Sequence, residues 1–204
     1  MKRLSVIVLF LVAVLILSVP TASFAEHKKG EGYITLKGGA YFPTSEDLDN
    51  ADFETGFNGE VVLGMYYNKN LALEFGGGYF RTESSVAEAS GFHEKAEIRV
   101  VPIIVNIKAV LPIDYVELYA GGGFGLYVVD FEDNGFDPVA GSFSGDDSDT
   151  ILGGHVMAGA NIDITKKIFI GVEGKYIVTA DAKLLGSRIN LDGFTATGTL
   201  GFRF

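Results

Sequence analysis

Three histidines, no cysteine and a surplus of carboxylates set the chemistry open to this 204-residue chain. Without cysteine there is no thiolate metal site, disulfide or thiol nucleophile. His27 stands beside Lys28 and Lys29 and reads as a solvated residue of a basic stretch. His155 is followed by Val156-Met157, so no His-x-Ser pattern accompanies it; it reads as a hydrogen-bonded interior residue. His93 lies near Ser90 and Glu94, but closeness along a loop is not the geometry of a triad. Asp130-Phe-Glu132-Asp-Asn134-Gly135 partly matches the opening of a calcium loop. Glu stands there where Asp or Asn is usual, and Gly141 where the closing bidentate Glu belongs. Gly121-Gly-Gly-Phe-Gly125 lies inside a strand pattern, whereas a phosphate loop joins a strand to a helix. No catalytic residue, cofactor or metal site is expected.

What the other charges do depends on the elements that carry them. Beyond residue 25 the chain reads as period-2 segments separated by turn residues. Strands are expected near Gly32–Phe42, Phe57–Tyr67, Leu71–Arg81, Glu97–Leu111, Val116–Val129, Ile151–Ile164, Ile168–Thr179 and Phe194–Phe204. Three connections are short: Asn68–Asn70, Pro112–Tyr115 and Thr165–Lys167. Four are long, roughly 43–56, 82–96, 130–150 and 180–193. They alternate strictly, so an up-and-down meander collects every long loop at one end. Outer-membrane barrels have that asymmetry, with short periplasmic turns and long external loops.

The N-terminus supports export. Met1-Lys2-Arg3 precedes an apolar run from Leu4 to Leu17, then Pro20 and Ser23-Phe24-Ala25, the pattern of a secretory signal peptide cut after Ala25. That leaves residues 26–204 as one barrel domain. Its longest uninterrupted apolar run in a strand core, Val100–Val105, is far too short for a spanning helix. A membrane form must therefore be a closed barrel. The formal charge of −10 argues against nucleic acid as a partner, and 48% apolar residues argue against a disordered chain.

Each strand has one apolar and one mixed face. In the last, Phe194, Ala196, Gly198, Leu200, Phe202 and Phe204 oppose Thr195, Thr197, Thr199, Gly201 and Arg203. The mixed faces hold Gly, Thr and Tyr with scattered charges, a poor water-facing surface but a good filling for a narrow lumen. The expected fold is all-β: an eight-stranded antiparallel up-and-down transmembrane β-barrel with its apolar faces on lipid. Lys37, Glu74, Lys108, Glu117, Asp163, Glu173, Lys175 and Arg203 then point inward. Glu74, Lys108, Glu117, Asp163 and Arg203 fall toward the short-turn end, and Lys37, Glu173 and Lys175 nearer mid-height. Buried charges must pair or keep water; simple lumen packing and a salt-bridged plug in a narrow path both stay open.

The long loops are acidic: Glu46, Asp47, Asp49, Asp52 and Glu54 in the first, and Glu132, Asp133, Asp137, Asp146, Asp147 and Asp149 in the third. They read as solvated segments able to attract divalent cations at a lipopolysaccharide surface. The last loop is apolar, with Ala182, Leu184, Leu185, Ile189 and Leu191, which points to a hydrophobic ligand or lipid. Tyr41, Phe42, Tyr66, Tyr67, Tyr79, Phe80, Tyr115, Tyr127, Phe194, Phe202 and Phe204 lie toward strand ends. Interfacial girdles explain such placement, and core packing explains some of it equally well.

Three stretches carry a family likeness: Val101-Pro-Ile-Ile-Val-Asn-Ile-Lys108 with Leu111-Pro112, Val116-Glu-Leu-Tyr-Ala-Gly-Gly-Gly-Phe-Gly-Leu126, and Gly198-Thr-Leu-Gly-Phe-Arg-Phe204. With them the chain resembles the small eight-stranded outer-membrane barrels, which include the transmembrane domain of outer-membrane protein A and outer-membrane proteins X and W. The resemblance implies location in the outer membrane of a Gram-negative cell, among lipids and lipopolysaccharide. It also implies that Leu200, Phe202 and Phe204 form the signal read by the barrel assembly machinery. A monomer with a structural or surface-interaction role, acidic external loops and a side-chain-filled lumen is expected, with no enzymatic activity. A narrow channel or transporter for small or hydrophobic solutes is the second reading, and a soluble periplasmic ligand-binding barrel the third.

Overall fold

The computed structural model describes residues 29–45, 48, 53–87, 93–137, 141–184 and 187–204. The expected signal peptide, His27, Ser90, Leu185 and the acids Glu46, Asp47, Asp49 and Asp52 lie outside the described residues.

Among the described residues ten strands follow in order: β1 (Gly32–Pro43), β2 (Gly56–Asn68), β3 (Leu71–Ala87), β4 (His93–Ile113), β5 (Val116–Asp137), β6 (Gly141–Asp163), β7 (Ile168–Thr179), β8 (Ala182–Leu184), β9 (Ser187–Ile189) and β10 (Gly193–Arg203). Eight of them close in the order β1-β10-β7-β6-β5-β4-β3-β2. All neighbours are antiparallel, and β1 meets β10 from Tyr33 opposite Arg203 to Pro43 opposite Gly193. Closure leaves the barrel without an edge strand. The short pair β8–β9 stands apart in the connection between β7 and β10.

Alternation sorts the side chains as a spanning barrel requires. In β10 every second residue is buried, and the outward set includes Leu200, Phe202 and Phe204. The same holds around the wall, where Phe124 is 65% and Val172 64% exposed. In water such a continuous apolar belt would be a costly surface; in hydrocarbon it is the favourable one. Of the expected aromatic girdle, Phe42, Tyr67, Tyr79, Tyr115, Phe194, Phe202 and Phe204 do face outward. Tyr41, Tyr66, Phe80 and Tyr127 do not. They fall on the inward phase of their strands and are buried in the lumen.

The strand ends depart further from expectation. The segments 82–96 and 130–150 are mostly strand and not loop, because β5 pairs with β6 from Val116–Ile162 all the way to Asp137–Gly141. β4 pairs with β5 from Ile113–Val116 to His93–Phe136. At 22 and 23 residues, β5 and β6 are about twice the ~9–11 residues that cross the hydrocarbon. Their upper halves, with those of β3 and β4, form a sheet standing above the belt. Glu132, Asp133, Asp137, Asp146, Asp147 and Asp149 belong to it, as does Asp130–Gly135, so the calcium-loop likeness is lost in extended backbone. Apolar alternation marks a strand only where one face meets lipid; higher up, the backbone ladder alone holds the sheet.

Pro102 interrupts the β3–β4 ladder, which resumes only at Phe80–Val100 after Gly77–Ile103, since proline has no N–H to donate. Small residues inside make room for large ones. Gly201 lies opposite Phe169 and Gly159 opposite Tyr119, and a Cβ on either glycine would overlap the facing ring.

Candidate functional site in the barrel lumen

Three layers fill the lumen. The uppermost is apolar. Tyr41, Phe80, Ile98, Val100, Ile104, Tyr127, Val129, Ile151 and Ile177 line the wall, and Leu48, Ala182, Leu184 and Leu191 enter from the connections above. The apolar residues of the last connection thus seal the barrel's own mouth, where a hydrophobic ligand or lipid contact was expected of them. Hydrogen bonds hold that connection down. Tyr41 donates its hydroxyl to the Leu191 carbonyl at 2.9 Å, the Thr179 N–H reaches Asp192 at 2.8 Å, and the Lys183 N–H reaches the Asp149 carboxylate at 2.8 Å.

The middle layer holds three carboxylates and three ammonium groups. Lys37 Nζ donates to both oxygens of Glu173 at 2.8 Å. Lys175 Nζ binds Glu60 at 2.6 and 2.7 Å, and Lys108 Nζ binds Glu74 at 2.7 Å. Longer contacts join the pairs: Lys108 to Glu173 at 3.5 Å, Lys175 to Glu173 at 3.9 Å and Lys37 to Glu60 at 4.0 Å. Glu173 therefore touches all three lysines. Neutral donors satisfy the remaining lone pairs: Tyr33 and Asn106 on Glu74 at 2.8 and 3.0 Å, and Tyr119 on Glu173 at 3.0 Å. His155 donates from Nε2 to Asn106 Oδ1 at 2.8 Å, which places it above this layer as a hydrogen-bonded interior residue.

The lowest layer combines an aromatic cluster (Tyr33, Tyr66, Tyr119 and Phe169, with Ala72 and Val110) with a second ionic group. Arg203 Nη1 meets Asp163 at 2.6 Å, its Nη2 lies 3.8 Å from Glu117, and its guanidinium stacks 4.4 Å from the Phe169 ring centre. Glu117 accepts from Tyr66 at 2.6 Å and Asn161 at 2.8 Å.

All eight charges singled out in the sequence lie on the inner face, but their grouping differs from the expected one. Glu74 and Lys108 join the middle layer, because the long Lys108 side chain rises over the Tyr119 ring, 4.1 Å from its centre. Only Glu117, Asp163 and Arg203 stay at the short-turn end. Sequence reading missed Glu60, Asn106 and Asn161. The signal was present, since Glu60 shares its phase with Val62 and Tyr66, both buried. His93 opens β4 opposite Ala87, and among the described residues no cluster of metal-ligating side chains occurs. Burial of six charges is costly unless every one is paired; here each lysine meets a glutamate, and the six buried groups occupy the middle of the lumen.

Solved structures place this architecture among known ones. OprG of Pseudomonas aeruginosa superposes with a TM-score of 0.61 at 14% identity, covering 88% of this chain and 98% of that one. Neisserial surface protein A gives 0.56 at 15% identity, with 85% and 97% covered. Ail, the attachment invasion locus protein of Yersinia pestis, gives 0.53 at 14%, with 87% and 100% covered. Identities this low speak for the fold alone. No curated protein matches the sequence significantly. The family model of the outer membrane protein beta-barrel domain matches residues 9–204, and with a closed eight-stranded wall, an apolar belt and a plugged lumen, this chain belongs to that outer-membrane barrel family.

Proposed function

We propose that this protein works at its outer surface and not through its lumen, as a non-enzymatic structural and surface-interaction barrel. The observation behind this reading is the filling of the lumen at three successive heights, by an apolar cluster, by paired lysines and glutamates, and by an aromatic cluster with Arg203. Residues 1–25 would be removed on export to give a monomer of residues 26–204. Leu200, Phe202 and Phe204 would offer the assembly machinery its recognition strand. What the cell surface would meet is the sheet of β3–β6. Glu83, Glu97, Glu132 and Asp146 stand directly opposite one another across its four strands, with Arg81 and Arg99 bridging the first three; the acids outnumber the bases, so a basic partner surface, or divalent cations shared with lipopolysaccharide, would suit it.

A narrow path is the second reading. It is favoured by the buried polar atoms of Thr35, Asn58 and Thr199, which lack a hydrogen bond from the protein and suit trapped water. Planar-bilayer recording of the folded protein separates the two. The surface reading expects no steady conductance, in the parent or in Glu117→Gln and Arg203→Gln. Stepwise openings altered by either substitution would transfer the function to the lumen.

A further inference from the structure

The barrel wall closes, but not over its whole height. β2 leaves β3 after Phe57–Arg81, and β7 leaves β6 after Thr179–Gly153. The ladders within β3–β6 run on to Ala87–His93 and Asp137–Gly141. Above the belt this sheet therefore has two edges, β3 and β6, with backbone groups turned away from any strand among the described residues. Such an edge is a template for an added strand. The first connection covers the β3 edge: the Glu54 N–H meets the Glu83 carbonyl at 3.0 Å, and the Thr82 hydroxyl donates to the Glu54 carbonyl.

The β6 edge is closed differently. At its foot the Ala180 N–H reaches the Leu152 carbonyl at 2.9 Å, so the backbone groups of Leu152 point to the open side. Alternate residues of a strand point theirs the same way, and Thr150 and Ser148 turn their N–H groups outward with it. Neither donor is left for an incoming strand. The Ser148 N–H is taken by Asp147 Oδ1 at 2.9 Å, and the Thr150 N–H by Asp149 Oδ1 at 2.8 Å. Asp149 Oδ2 also accepts from the Lys183 N–H at 2.8 Å, which lays the β8–β9 pair beside the same edge. Aspartate side chains are short enough to compete with a ladder for nearby backbone N–H groups. Lysine and proline, the usual protection of an exposed edge, are absent from residues 141–152.

We propose that Asp147 and Asp149 guard the β6 edge: their carboxylates occupy the backbone donors to which an extended strand of a second copy would add. Another β6 is the strand this edge would otherwise fit, since every copy brings the same unpaired groups to the same height. The acids of the upper sheet then divide by task. Asp130 and Asp146 stand exposed on its outer face, free to meet a partner, whereas Asp147 and Asp149 bar a ladder. The guard follows from strand order and hydrogen bonding, and it holds whatever the outer face meets.

Light scattering from the mature barrel in detergent micelles, corrected for bound detergent, reads the association. The parent is expected to be monomeric. Asp147→Ala should raise the mass toward a dimer as protein concentration rises, and Asp147→Ala/Asp149→Ala more strongly. Asp130→Ala/Asp146→Ala removes two like charges from the outer face of β5 and β6 and should stay monomeric. Adding Ser148→Pro to Asp147→Ala/Asp149→Ala takes away the N–H that a second strand would bind and should restore the monomer. Amide exchange in dilute samples gives a second readout. There Asp147→Ala should speed exchange at Ser148 roughly fivefold, as loss of one hydrogen bond implies. Heat-modified gel migration checks that each variant is folded. A dimeric parent, a monomeric mass for both edge variants or equal dimerisation of Asp130→Ala/Asp146→Ala would overturn the guard. So would a dimer that survives Ser148→Pro, or unchanged exchange at Ser148.

Discussion

Lys37 on β1 reaches past β10 to Glu173 on β7, and its ammonium group lies 2.8 Å from both carboxylate oxygens. The two residues are 136 positions apart, so the contact exists only once the barrel has closed. It joins the first strand to the sheet that must meet it, and it anchors the carboxylate around which the other two lysines gather.

Glu173→Gln leaves three buried ammonium groups facing two carboxylates. Breaking a buried pair from one side costs about 3–5 kcal/mol, whereas replacing both partners by apolar groups is often near neutral. Urea unfolding in lipid vesicles should show that loss for Glu173→Gln and recovery of most of it in Lys37→Met/Glu173→Met. A single substitution without effect would mean that the middle layer is solvated and not sealed.

Gly159 gives the Tyr119 ring the space from which its hydroxyl reaches Glu173. Gly159→Ala should push the ring aside and cost about 1–3 kcal/mol in the same unfolding assay, the usual penalty for overpacking. Gly38 faces lipid with nothing within 4 Å of an added Cβ, so Gly38→Ala should change stability by no more than about 0.5 kcal/mol. Equal effects at the two positions would contradict the inward and outward assignment of their strands.

Asp149 ties the β8–β9 pair to the sheet above the membrane. The backbone N–H groups of Lys183 and Thr150 hold its carboxyl below the usual aspartate range. A carboxyl lowered on folding adds stability above its ordinary value, about 3.9, and loses that contribution as pH falls through the lowered one. The Lys183 amide shift should therefore titrate with a midpoint below about 3.9, and Asp149→Ala should abolish the titration and speed exchange of that amide. A midpoint at or above the ordinary value would remove Asp149 as the tether.

Much of this architecture is legible in the sequence, and the exceptions have causes. The two-residue phase placed Lys37, Glu173 and Arg203 on one face, because lipid outside enforces alternation. It could not show that Lys108 leaves its own level to meet Glu173, since a flexible four-carbon stem is free of the backbone's height. Asp130 and Asp146 read as loop because acids and glycines mark turns, yet above the membrane the ladder from β4 to β6 continues without any demand on side-chain polarity. The burial of Leu184 and Leu191 escaped notice because nothing local says which surface an apolar loop will cover.

The inward and outward assignment of each strand underlies every other feature of the barrel. As the natural chain has no cysteine, single cysteines along β7 can carry nitroxide labels in lipid vesicles without background. Labels at Ile170, Val172 and Tyr176 are expected to show high oxygen and low nickel-chelate collision rates, while those at Phe169, Glu173 and Ile177 show low rates for both. Oxygen access at Glu173 with protection at Val172, or chelate access along the whole strand, would contradict it.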